Sequence, residues 1–134
     1  IRNLIIHKHP VNLAFAFEVF PYKVSEQFDL VFIPSLHDIH QDHTTIAQEG
    51  LRAFKNTTLL GYELIWNNLT FNTQCFVELN REHIQAKVEA LKAYESQGTR
   101  DYLSEEFIFS LAKTRGVQAG CPYAEAFEVV RLFL

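Results

Sequence analysis

Cysteine is scarce: Cys75 and Cys121 are the only two in 134 residues, too few and too far apart for a disulfide framework or a zinc ribbon. Two reduced thiols in a cytosolic protein are the expectation. No apolar run approaches the length of a membrane span, and no charged-then-apolar segment of the signal-peptide kind opens the sequence. A cytoplasmic location without a membrane span is therefore expected. Without a signal peptide, the glycosylation-like triplets at Asn56 and Asn68 carry no weight. The formal net charge is -4 and there is no basic run, which argues against a nucleic-acid surface. No repeat, low-complexity tract or linker interrupts the sequence, so a single domain over residues 1–134 is expected.

Apolar and aromatic side chains are plentiful. Hydrophobic residues make up 48%, with 12 Phe, 5 Tyr and 1 Trp. That composition suits a core rich in aromatics, and equally an aromatic interface in a homo-oligomer.

The pattern along the chain alternates strands and helices. Residues 4–6 read as a first strand that runs into His7-Lys8-His9-Pro10, and residues 13–20 as a second, with Leu13, Phe15, Phe17 and Val19 on one face. Residues 28–34 form a nearly continuous apolar run, as in a strand buried on both faces of a parallel sheet, and Pro34 ends it. Ile46, Ala47, Gly50, Leu51 and Phe54 then recur at helical spacing, with Asp42 placed as N-cap. Strands follow at 58–62 and 75–79. Asn80 caps a helix striped by Ile84, Val88 and Leu91, with its exit at Gly98. A last helix begins at Ser104 and ends at Arg115-Gly116, and residues 127–132 close the chain as a strand. This order predicts an α/β fold, a Rossmann-like three-layer sandwich with a mostly parallel sheet.

The densest chemistry lies in His37-Asp38-Ile39-His40-Gln41-Asp42-His43, which holds three of the 6 histidines and two carboxylates. It occupies a strand-to-helix loop at the carboxyl end of a strand, where open α/β sheets bind ligands. Neutral imidazole is the commonest protein ligand for zinc, and a carboxylate that orients a histidine raises its basicity and fixes its tautomer. His40, Asp42 and His43 can divide these tasks. A catalytic zinc takes three protein ligands and leaves one position for water. The loop supplies one or two, and His7-Lys8-His9-Pro10 is the best source of another; the alternative is that these histidines are solvated loop residues. His83, on the outer side of an amphipathic helix, reads as surface.

The order of strand, His-Pro, apolar strand, Pro and then His-x-Asp-His opening a helix resembles the PIG-L/LmbE-like family of zinc-dependent N-acetylglucosaminyl de-N-acetylases. The resemblance runs from His9-Pro10 through Asp29 to Phe54 and on to Tyr123-Ala124-Glu125-Ala126-Phe127, with His40-Gln41-Asp42-His43 its most specific part. It implies that His9 and His43 are metal ligands. His40 would stabilise the oxyanion and protonate the leaving amine as a positively charged imidazole, and Asp42 would orient it. The implied cofactor is Zn2+ or another divalent metal, and the implied substrate a small N-acetylated amino sugar or its conjugate. Zinc would activate a water and polarise the acetyl carbonyl while a carboxylate takes the water's proton.

The family's first motif is His-Pro-Asp-Asp, with the first Asp as general base and the second as ligand. Here His9-Pro10 is followed by Val11, which cannot take a proton, and Asn12, a poor stand-in for a charged ligand. Either the motif is lost and the protein is a non-catalytic carbohydrate-binding relative, or residues are absent between 10 and 11. The second is favoured, because the chain is short for such a fold and the motif stops beside an intact partner. A different metallohydrolase on a similar sheet is a third reading. Trp66 with Asn67 and Asn68 offers an aromatic face and amides to a sugar, against a loop Trp half-buried on the sheet. Glu125 is placed either to orient Arg100 or Arg115 or to bind substrate hydroxyls.

Overall fold

The computed structural model describes residues 13–15, 28–93 and 100–133. The strand expected at 4–6, most of that expected at 13–20, the histidines of His7-Lys8-His9 and Gly98 lie outside the described residues. The elements in chain order are β1 (Leu13–Phe15), β2 (Leu30–Pro34), α1 (Gln41–Ala53), β3 (Thr58–Tyr62), β4 (Cys75–Leu79), α2 (Arg81–Lys92), α3 (Glu105–Ala119) and β5 (Tyr123–Arg131). Two compact units result, one of Leu4–Cys75 with Phe127–Leu134 and one of Phe76–Ala126.

In the first unit β1, β2, β3 and the C-terminal part of β5 lie side by side in that order. β1 and β3 both pair with β2 in parallel, whereas β5 pairs with β3 antiparallel. The fold is thus α/β with a mixed sheet, and the expected Rossmann-like, mostly parallel sandwich is met only at that coarser level. Val31, Phe32, Ile33 and Pro34 are all buried, as a continuous apolar run requires. On one face Val31, Ile33 and Leu59 pack with Ala47 and Phe54 from α1 and its C-cap. Phe32, pointing the opposite way, meets Phe127 with ring centroids 5.0 Å apart.

In the second unit α2 and α3 bury Ile84, Val88, Ile108 and Ala112 with Leu79 of β4. Asn80 caps α2 as expected, its side chain accepting the His83 N–H at 2.9 Å. His83 is more than surface: its Nδ1 accepts the Asn80 N–H, completing a capping box. Ser104 caps α3, also as expected. No helix among the described residues is long and apolar enough to cross a membrane.

Four boundaries differ from expectation. α2 ends at Lys92, with Ala93 as its C-cap, ahead of the expected exit at Gly98. α1 is capped by His40 rather than Asp42. α3 passes through Gly116 and stops at Gly120, whose φ of 73° needs a residue without a Cβ penalty. β5 starts at Tyr123, four residues before the expected strand, because Ala124 and Ala126 are fully or nearly fully buried there despite alanine's weak strand preference.

Gly116 serves close packing instead of termination. A Cβ there would sit 2.7 Å from the Cys121 carbonyl oxygen and 2.8 Å from Tyr123 Cα, both backbone atoms. Gly116→Ala should therefore lower the free energy of unfolding by roughly 1–3 kcal/mol, despite a helix-propensity gain of about 1 kcal/mol. Urea denaturation measures this, and a stabilised variant would refute the packing argument.

Candidate functional site

Pro34 ends β2, and the chain turns through Ser35–Ile39 before α1 begins at Gln41. The turn is stitched to the 64–68 loop by an antiparallel bridge between Asp38 and Asn68 and by the Ile39 N–H donated to the Asn67 carbonyl at 3.2 Å. Asp38 is only 4% exposed. A carboxylate so removed from water must have its oxygens bonded. Oδ1 accepts the His40 N–H at 2.8 Å, and Oδ2 lies 2.8 Å from His43 Nδ1.

His40 is the N-cap of α1, and its Nδ1 accepts the Asp42 N–H at 3.3 Å. His43 is one turn into the helix, so the two imidazoles stack with centroids 4.6 Å apart and planes at 33°. The hydrogen bonds assign opposite tautomers. His43 carries its proton on Nδ1, facing a carboxylate, which leaves the Nε2 lone pair to bind a metal or proton. Neutral His40 carries its proton on Nε2, because Nδ1 is accepting.

The carboxylate that orients a histidine is therefore Asp38, not Asp42. Asp42 reaches His40 only through its backbone N–H, and it is exposed in the first turn of α1. The signal for Asp38 was present in the sequence as a second acid beside the histidines. What hid it was the helix start: with α1 beginning at Gln41, residue 43 swings back over residue 38.

Asn67 Nδ2, itself a donor, lies 3.2 Å from the same His43 Nδ1, so with that nitrogen protonated toward Asp38 the two are close neighbours and not a hydrogen-bonded pair. Trp66 is 70% exposed next to it rather than half-buried on the sheet. Asn68 does not present its amide outward: it is buried, and its Oδ1 accepts the Leu64 N–H at 2.7 Å. Tyr62, at the end of β3, keeps its phenol proton to well above the usual range, first because it is buried and second because Asp38 is nearby.

Glu128 escaped sequence reasoning altogether. It is 5% exposed on β5, where its Oε2 accepts a hydrogen bond from the Ser35 hydroxyl at 2.5 Å and its Oε1 accepts one from the Asn72 N–H at 3.0 Å. His37 Nε2 lies 3.9 Å from Oε1. Nothing local flags it, since the partners are 93 and 56 residues away in sequence.

His9 is outside the described residues. Glu125 and Arg100 belong to the second unit. Glu125 pairs with Lys87 rather than with an arginine, and Arg100 stacks over Tyr102 with its guanidinium carbon 5.8 Å from the ring centroid. Arg115 bonds to Gln118. Among the described residues no group of three His, Cys, Asp or Glu is arranged to hold a metal ion. His43 fits as one metal ligand, with Asp38 as the outer carboxylate that such a histidine usually has.

No known family's sequence profile matches the chain, and no curated protein is significantly similar to it.

Removing the Asp38 carboxylate would strand a backbone N–H and an imidazole N–H at once. Asp38→Ala should lower the unfolding free energy by about 2–4 kcal/mol. Asp38→Asn should cost less, because the amide oxygen still accepts the His40 N–H. Chemical denaturation of the two variants side by side tests this ranking, and equal losses would show that the His40 bond contributes little.

Proposed function

We propose that the protein is a zinc-dependent hydrolase that removes the acetyl group from an N-acetylated amino sugar or its conjugate. The observation that carries this reading is the His43–Asp38 contact, with His40 stacked beside His43 at the carboxyl end of β2. In this reading β1, β2 and β3 are the parallel part of a Rossmann-like sandwich that β5 joins as an antiparallel strand, and the loop after β2 sits where such sheets place ligands. A small-molecule sugar substrate and a cytoplasmic setting go with it.

His43 would hold the metal through Nε2, with His9 of the first motif as a second ligand. Bound there, zinc would supply an activated water and a polarised acetyl carbonyl. Asp38 holds the His43 ring, and with both oxygens engaged it acts as an orienting group rather than a base. Val11 and Asn12 supply no base, so this reading requires a carboxylate that the first motif, as it stands in this sequence, does not supply to take the proton of the water. His40 offers its Nε2–H to the developing oxyanion. To protonate the departing amine it must first become an imidazolium, at the cost of only the long 3.3 Å bond from the Asp42 amide. Trp66, exposed beside Asn67, provides a face for the sugar ring. Arg100 and Glu125 remain candidates for substrate contacts.

Val11 and Asn12 also favour a second reading, a carbohydrate-binding relative without catalysis. His40→Ala discriminates the two: the hydrolase should lose at least about 100-fold in kcat while keeping its zinc, as expected for a general acid, whereas a binding module should bind sugar unchanged. His43→Ala should lose the metal itself. Asp38→Asn should weaken zinc about 10- to 100-fold, because an amide facing Nδ1 selects the wrong tautomer. These affinities are measured by competition with a chelator, and turnover by acetate release. A wild-type protein that takes up no stoichiometric divalent metal on zinc reconstitution would sink the hydrolase reading.

A further inference from the structure

A buried carboxylate that no step above uses sits directly beneath the histidine loop. Glu128 lies opposite Gly61 in the β3–β5 register, and Gly61 in turn lies opposite Ile33 in the β2–β3 register. With no side chain on Gly61, Glu128 passes across β3 and reaches Ser35. A Cβ on Gly61 would come 3.2 Å from Ser35 Cα and 3.4 Å from Glu128 Oε2. The fold thus carries two costly choices at one place, a buried carboxylate where an apolar residue would be cheaper and a glycine inside a strand.

What they hold is Ser35. Its hydroxyl donates to Glu128 and accepts the His37 N–H at 3.0 Å. Its carbonyl accepts the Asp38 N–H at 3.1 Å, and its own N–H donates to the Tyr62 carbonyl at 3.2 Å. The Asp38 carboxylate then meets His43. An unbroken path of hydrogen bonds and two peptide units joins Glu128 to the imidazole. Only a carboxylate can terminate it, because both oxygens must accept, one from Ser35 and one from the Asn72 N–H.

We infer that Glu128 is a positioning residue for the histidine pair: through Ser35 it fixes the 35–38 loop, and with it the Asp38 carboxylate that sets the His43 tautomer. The role rests on the proposed hydrolase only where turnover is concerned. Glutamine at 128 is isosteric but presents an NH2 group to one of the two donors, so the Ser35 hydroxyl must rotate and the loop loses its anchor.

The experiment uses the full chain with 15N-labelled histidine, in which imidazole nitrogen shifts report the tautomer of His43 directly. Wild type should show the proton on Nδ1. Glu128→Gln and Ser35→Ala should each convert His43 to a mixture of tautomers, and the double variant should go no further than either single one. With an N-acetyl sugar as substrate, kcat should fall about tenfold in each while KM stays within about twofold. Folded variants whose His43 keeps a pure Nδ1–H tautomer, or a double variant whose effects simply add, would overturn the inference. If Glu128→Gln does not fold, Ser35→Ala decides alone, since it removes only a hydroxyl. If the wild-type protein cleaves no acetyl sugar, the tautomer measurement still decides, and only the hydrolase reading falls.

Discussion

The desolvated carboxylate of Asp38 is the constraint around which the first unit is arranged. At 4% exposure, it can persist only while partners meet both of its oxygens. One donor is the His40 backbone, which fixes where α1 starts; the other is the His43 ring, which fixes how the first turn of α1 faces the loop. The Asp38–Asn68 bridge ties the same residue to the loop after β3. Helix start, imidazole orientation and loop pairing are therefore one solution to one electrostatic problem. The exposed ion pairs of the chain, such as Arg52 with Glu49, impose no comparable demand because water screens them.

Much of this was legible from sequence where the signal was local. The apolar run at 28–34 announced a strand buried on both faces, which forms over 30–34, and Asn80 and Ser104 announced helix starts because their short polar side chains suit a cap. The cap of α1 was not legible in the same way. Histidine is an unusual cap, and Asp42, a favoured one, stood two residues away and drew the assignment. That shift of two residues also transferred the orienting role from Asp38 to Asp42, since on a helix only spacing decides which side chains meet. The early start of β5 was hidden by Ala124 and Ala126, whose presence reflects tight burial rather than strand preference.

Long-range contacts lay beyond any local pattern. Glu128 shares its strand with Glu125 and Arg131, and its partners become apparent only once β5 is known to pair antiparallel with β3 and Gly61 to lie opposite it. The mixed sheet matters here. β5 does more than cover the edge of β3: it brings an acceptor under the loop that leaves β2, at a row where the intervening strand has no side chain. A glycine in a strand commonly marks a close approach of this kind.

Two imidazoles 4.6 Å apart at the start of one helix would ordinarily compete for the same environment, and the backbone separates them chemically. His40 faces an amide N–H and must therefore accept at Nδ1, while His43 faces a carboxylate and must donate there. One ring is left with a donor at Nε2 and its neighbour with a lone pair at Nε2. A donor beside a lone pair is what a reaction needs when it must both bind an electrophile and meet a developing negative charge, and here the difference comes from the cap geometry rather than from different residue types. The polarity of the pair is thus a property of where the helix begins. A start at Asp42 instead of Gln41 would break the amide bond to His40 and take the distinction with it.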